Sequence, residues 1–471
     1  MKKFSRRAIL QQGAAATTML QLNLAGRAAA NSNGASDDRK SLVCIYFAGG
    51  LDSYHVLVPR DDSRYNTYQE SRTNIAHPKQ RLVPINEVDG GKPGELYGLH
   101  PDCGKLADMF NGEGAFAGKR RASWLANVGT LIKPLTLEQY REGRPGIDIP
   151  VGVGGHVRQA EQWQTAQPEG TVQLKGWLGR AADLLGPEFN RARASMNLSL
   201  AGNNIMQLGD DTRPFSFNPF LGLGLSGRTI TKADDPRAIK NLLHQKLIEQ
   251  RYQRNFTEDT FSEISSFSLG RQIEIQAALD AVPDSTFAVP FNGNFQRRLA
   301  AVAKLIISRE AQGLCRQTFF VQAPRGWDDH FQLGKDFDER IKETSEGISV
   351  FQQNMEALGL SDSVLGFTTS EFARTLRSTS FGSDHAWGGP QMIFGGPVDA
   401  GKVFGDFPDQ TLNGADDTGR GGRILPSRGC DEYFADLLRW FGLADEDLEI
   451  ALPNYGNFLV DGRTPINFLK A

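Results

Sequence analysis

The chain has 471 residues, enough for about three average domains or for one large α/β domain with insertions. Hydrophobic residues make up 39% and charged residues 23%, an ordinary globular balance that excludes a disordered, collagenous or coiled-coil chain. The net charge is −3, and removing the five cations of the first 30 residues leaves 47 basic against 55 acidic, so the body lacks the basic field of a nucleic-acid surface.

Residues 1–30 read as an export signal. Lys2 and Lys3 open it, Ser5-Arg6-Arg7-Ala8-Ile9-Leu10 is similar to the twin-arginine signal, a moderately apolar stretch runs to Leu24, and Ala28-Ala29-Ala30 is a small-residue cleavage site. The mature chain is expected to start near Asn31 and to reside in the periplasm or outside the cell, delivered by the twin-arginine export machinery. Beyond the signal no stretch reaches about 18 consecutive apolar residues, so no transmembrane span is expected in the mature chain.

SLVCIYFAGG (41–50) reads as a buried parallel strand ending in two glycines. Residues 60–99 are polar and rich in Gly and Pro and read as a long surface excursion. Further strand-like runs lie at 122–128, 196–201, 316–322, 363–369 and 391–395. Residues 205–290 read as an inserted cap with an aromatic, Gly-rich loop at 213–227 and a charged helical stretch after it. Helical spacing joins Phe295, Leu299, Val302 and Ile306, then Phe337 through Leu358, then Phe434 through Phe441. Alternating strands and helices predict one α/β domain over residues 31–471, with a mostly parallel sheet covered on both faces. The cysteines Cys44, Cys103, Cys315 and Cys430 form no C-x-x-C pair, and Cys44 and Cys315 are expected to be buried free thiols.

In open α/β sheets ligands bind beyond the carboxyl ends of strands, so the residues just after each run carry the interest. They are Asp52 in GGLDSYH, Trp327-Asp328-Asp329-His330, Glu371 in SEFART, Asp384-His385 in GSDHAWGG, and His156 at the expected start of a helix. Each alone fits a turn, a cap or a surface role. Together, acids and histidines at strand ends match the oxygen and imidazole donors of a metal centre. Trp163, Trp177, Trp327 and Trp387 beside them read as plugs beneath the loops. His100 is expected to cap a helix starting at Pro101, and His55, His77 and His244 to be structural or exposed. No phosphate loop or nucleophile elbow is present, and GLGLSG (222–227) follows no strand.

GGLDSYHVLVP (49–59), YGLHP (97–101), ANVGTLIKP (126–134), HVRQAEQWQTA (156–166), GWLGRAADLL (176–185), GWDDH (326–330), SEFART (370–375), GSDHAWGG (382–389) and FGDFP (404–408) occur in that order. This series resembles the exported bacterial family called domain of unknown function 1501, placed in the alkaline-phosphatase-like superfamily. The resemblance implies a three-layer α/β/α sandwich with an inserted cap and a centre of one or two divalent ions, zinc or manganese. It also implies metal-ligand roles for Asp52, Asp328, His330, Glu371 or Asp384, and His385. The superfamily has a Ser, Thr or modified Cys at the start of the helix that here begins with Gly155-His156, so attack by water, or His156 as base or nucleophile, takes that place. Arg374 is a candidate anion-binding group, with a salt bridge to Glu371 as its other role.

These features point to a metal-dependent hydrolase of phosphate or sulfate esters acting on an anionic small molecule or glycan. The rival reading is a non-catalytic exported binding protein on the same fold.

Overall fold

The computed structural model describes residues 38–88, 96–170, 174–190, 196–220, 256–331 and 333–470. The export signal read at 1–30, His244 and the glycine-rich match at 222–227 lie outside the described residues.

Each strand-like run of the sequence forms a strand, because each is a short apolar segment bounded by Gly or polar residues. The central sheet contains β1 (Lys40–Phe47), β5 (Ala122–Gly129), β6 (Asn197–Ser199), β7 (Phe215–Ser216), β8 (Arg316–Gln322), β9 (Val364–Ser370), β12 (Gly389–Gly395), β13 (Val403–Phe404) and β14 (Arg428–Gly429). Their order is β13-β5-β12-β9-β1-β8-β6-β7, with β14 also on β5. Alternate residues of β1 enter opposite cores. Val43, Ile45 and Phe47 pack under the helices Gly104–Asn111, Gly293–Ile307 and Lys335–Ala357. Leu42, Cys44 and Tyr46 pack under the helices Trp177–Phe189 and Cys430–Phe441. The fold is therefore α/β, with helices on both faces of a mostly parallel sheet.

β12 departs from the parallel reading, since it runs antiparallel to both β5 and β9. Between β9 and β12 the chain makes only a ribbon, β10 (Arg374–Ser378) against β11 (Ser383–His385), and no crossover helix. A strand that returns without a crossover must pair antiparallel.

Residues 60–99 are not merely a surface excursion. They hold the helix Asp62–Arg72 and, with β2 (Leu57–Pro59), the strands β3 (Val83–Ile85) and β4 (Tyr97–Leu99) of a small antiparallel sheet. Val58, Tyr65, Tyr68 and Leu82 bury a core of their own. Tyrosine hides this core from a polarity count, because it buries its ring while its hydroxyl stays bonded: Tyr65 to the His77 carbonyl at 2.9 Å, and the His77 amide to Tyr68 at 3.0 Å.

The helix expected at Pro101 starts at Gly104, after Cys103, and His100 caps no helix. Its Nδ1 accepts from the Asp102 amide at 3.1 Å and its Nε2 meets Asp338 at 3.0 Å. All four cysteines are free, and Cys315 is half-buried rather than buried. From the expected cap, the described helix Phe256–Asp280 sends Ile275 and Ala278 into the same core as β1. Among the described residues no helix is long and apolar enough to cross a membrane.

Candidate metal centre

Three adjacent parallel strands, β9, β1 and β8, end side by side, and their following loops carry Glu371, Gly49-Gly50 and Asp328-His330. Gly49 has φ +116°, and a Cβ there would lie 2.7 Å from the Asp328 amide nitrogen. Only glycine lets the loops after β1 and β8 meet this closely. The Gly49 amide then donates to Glu371 Oε1 at 3.0 Å.

Arg374 fastens the loops together. It is fully buried, and donates from Nε to the Gly50 carbonyl at 2.9 Å, from Nη1 to the Ser383 carbonyl at 2.9 Å and from Nη2 to the Trp327 carbonyl at 3.2 Å. Nη2 also pairs with Asp328 Oδ1. Its ion-pair partner is thus Asp328, not Glu371. A guanidinium so committed to three loops serves to position them.

Around Asp328 stand three imidazoles. Nε2 of His330, His385 and His156 lies 3.1, 3.4 and 3.5 Å from Asp328 Oδ1. Each ring faces an oxygen through its other nitrogen. His156 Nδ1 pairs with Glu371 Oε2, His385 Nδ1 donates to the Gly154 carbonyl at 2.8 Å, and His330 Nδ1 faces Asp384 Oδ1 at 3.6 Å. Oxygen partners at Nδ1 turn the Nε2 lone pairs inward, as outer partners do in carboxylate–histidine–metal sites. His330 Nε2 and His385 Nε2 face one another at 2.8 Å, a contact that needs a proton or a cation between the two lone pairs.

His156 opens the helix His156–Thr165 behind Gly155, as the sequence predicts. Phe372 packs against both rings, with centroids 4.9 Å from His156 and 4.7 Å from His385, while those two rings meet edge-on with centroids 4.2 Å apart. Burial works to raise the Asp328 carboxyl, but the Arg374 hydrogen bond and charge, aided by His156 and His330, hold it below its ordinary value. His385 is pushed down, by burial first and then by the charges of Arg374 and His156.

The structure brings together His156, Asp328, His330, Glu371, Asp384 and His385, with Arg374 beneath them. Asp52 stands apart. It is buried, it accepts from Arg72 at 2.7 Å, Ser383 at 2.6 Å and the His55 amide at 3.2 Å, and it joins none of the convergent donor groups among the described residues. These bonds occupy both its oxygens, so Asp52 ties the first loop to the β11 ribbon. Trp163, Trp177, Trp327 and Trp387 are all buried, as expected of plugs. Sequence reasoning missed Phe372, Ser383 and Arg423. Ser383 and Phe372 sit inside quoted motifs beside the chosen acids, but Arg423 carries no local signal.

Residues 152–419, more than half of the chain, match the family described as "Protein of unknown function (DUF1501)". No curated protein matches the sequence. Two solved structures are similar at 10% identity: "Crystal structure of Ps i-CgsB", covering 89% of this chain and 77% of that chain at TM-score 0.35, and the same protein "in complex with k-i-k-neocarrahexaose", covering 88% and 74% at TM-score 0.34. Superpositions this loose carry no weight for fold or activity.

Proposed function

The chain belongs to the family described as protein of unknown function (DUF1501), and we propose that it is an exported, metal-dependent hydrolase of phosphate or sulfate esters. One observation carries this reading. Three imidazole nitrogens lie 3.1–3.5 Å from one carboxylate oxygen, with two of the rings held by an oxygen at the other nitrogen and His330 facing one at 3.6 Å. Ligands about 2.0–2.1 Å from a tetrahedral ion are separated by about 3.3 Å, close to the distances from Asp328, while the two imidazole nitrogens of His330 and His385, 2.8 Å apart, would move apart to admit zinc or manganese. His330, His385 and Asp328 would hold the ion. His385 spends Nδ1 on Gly154 and has one lone pair to give, so the donors that share it suit one cation rather than two.

When bound, a divalent cation supplies positive charge to an ester oxygen and to the leaving oxygen. The remaining work falls to this chain. Glu371 holds His156 Nδ1, leaving Nε2 to take a proton from an attacking water. Gly155 offers no hydroxyl or thiol, so no side chain there forms a covalent intermediate. The first-turn amides of the His156 helix present donors and a positive dipole end to a substrate anion. The absence of a nucleophile at Gly155 is also what favours the rival, a non-catalytic binding protein.

The test is metal analysis of the purified protein, followed by a panel of phosphate and sulfate esters. His156→Ala should leave metal content intact while the rate falls about 10²–10⁴-fold, the usual worth of a general base. Metal-loaded wild-type protein that cleaves no ester in the panel would leave the binding-protein reading in its place. Export is proposed on Ser5–Leu10 alone. Replacing Arg6 and Arg7 by Lys should hold the precursor in the cytoplasm, and unchanged export would end the twin-arginine proposal.

A further inference from the structure

Three buried arginines have carboxylates, and a fourth, Arg309, meets the hydroxyls of Ser41 and Ser363. Arg72 pairs with Asp52 at 2.7 Å, Arg316 with Asp38 at 2.9 Å, and Arg374 with Asp328. Arg423 differs. It is 7% exposed, yet among the described residues it forms no ion pair, and its Nε is buried without a hydrogen-bond partner. Its other nitrogens make long bonds, from Nη1 to the Val153 carbonyl and from Nη2 to the His385 carbonyl, both 3.3 Å, and its side chain also meets the Tyr140 hydroxyl. A buried charge without a counter-charge is costly and is kept where something else answers it.

The place of Arg423 says what that is. Its guanidinium lies flat on Gly154, where a Cβ would come within 2.5 Å of Nη2. Gly154 has φ +85° and gives its carbonyl to His385 Nδ1. Arg423 therefore touches the backbone of one proposed ligand and the loop that leads into the His156 helix. The other groups facing it are Tyr140 and Asp384, which attract it, and Arg420, which adds a second positive charge. A guanidinium beside a helix N-terminus, with a second positive charge close to it, makes a field for an anion. A guanidinium fork matches two oxygens of a tetrahedral oxyanion.

We infer that Arg423 is the substrate-anion group of this site, binding the phosphoryl or sulfuryl oxygens of the ester, in the role that Arg374 is too committed to fill. The inference rests on the hydrolase reading for its substrate class, but anion binding can be measured without turnover.

The experiment is calorimetric titration of the mature, metal-analysed protein with inorganic phosphate in one arm and sulfate in the other. Wild-type protein should bind at least one of them. Arg423→Gln should weaken that binding roughly 10–100-fold, the worth of one or two charge-assisted hydrogen bonds. Arg423→Lys, which keeps the charge and loses the fork, should fall between. Lys105→Gln, at an exposed position on the helix Gly104–Asn111, should bind like wild type. If Arg423→Gln does not fold, the Lys variant carries the test, and wild-type affinity in it overturns the inference. Equal binding by wild type and Arg423→Gln also overturns it, as does wild-type protein that binds neither anion. Metal content in the same samples reports separately on the hydrolase reading. A protein that holds metal but ignores Arg423→Gln loses only this inference, and one that holds no metal loses the reading itself.

Discussion

Six of the seven histidines fall into two triplets with opposite characters. His156, His330 and His385 stand at the ends of β9, β1 and β8, partly exposed, each ring facing an oxygen through Nδ1 and turning Nε2 toward Asp328. His55, His77 and His100 are buried under the small sheet. There His55 stacks on His77 with centroids 3.8 Å apart, His100 stands edge-on to His77 at 4.5 Å, and Phe337 packs against His55 and His100. His55 Nδ1 and His77 Nε2 have no partner, while His100 has both nitrogens engaged. Imidazoles close enough to share an ion occur in both places, three together in the buried triplet and two with an aspartate at the sheet edge. The difference lies in what surrounds them. Carboxylates and water at the sheet edge favour a cation and proton transfer, whereas apolar burial and ring stacking favour neutral rings that only pack.

The largest contrast should come from metal content. His385→Ala removes a proposed ligand, so the protein should lose its stoichiometric metal, and ester hydrolysis with it. His77→Phe keeps a ring in the buried stack and should leave metal content unchanged. Elemental analysis of both variants decides, and metal lost from His77→Phe but kept in His385→Ala would reverse the assignment of the two triplets.

A smaller effect should separate ligand from orienting partner. Glu371→Gln keeps the shape of the side chain but removes the charge at His156 Nδ1. Loss of an outer partner of this kind costs about 10–100-fold in activity. The pH–rate profile should shift as well, because His156 no longer has a carboxylate fixing its tautomer. A fall in rate with an unchanged profile would assign Glu371 to loop packing through Gly49 instead.

The smallest effect concerns stability. Burial, with the charges of neighbouring His and Arg72, pushes His55 well below its usual range, and burial with His100 and Arg72 pushes His77 down to about 3. Above about pH 6.5 these rings are neutral whether the chain is folded or not, and they favour neither state. As the pH falls below that value, the unfolded chain takes up protons that the folded one refuses. Stability should therefore decline by up to about 1.4 kcal/mol per pH unit for each histidine. Denaturant unfolding at pH 7 and pH 5 measures it, and His77→Phe should remove about half of this slope. An undiminished slope would place the acid sensitivity elsewhere.

The strands, the long helices and the chemistry of the site were legible in the sequence, because each depends on neighbours in the chain. Apolar runs ending in Gly predict strands, helical spacing predicts the helices Gly293–Ile307 and Lys335–Ala357, and acids or histidines just past a parallel strand fall at the sheet edge by the geometry of the fold. For that reason GWDDH, SEFART and GSDHAWGG supplied most of the centre. Roles that depend on a distant partner were not legible. Asp52 follows its strand as a ligand would, yet Arg72 and Ser383 claim its oxygens. Arg374 reads as an anion binder beside Glu371, yet three segments bring it acceptors from 9 to 325 residues away. Arg423 has no local pattern, and that no carboxylate among the described residues forms an ion pair with it is a property of folded space alone. Sequence spacing determined which residues arrive at the sheet edge. The tertiary structure decided which of them keep a lone pair or a donor free, because each hydrogen bond made to a distant segment uses up one lone pair or one N–H.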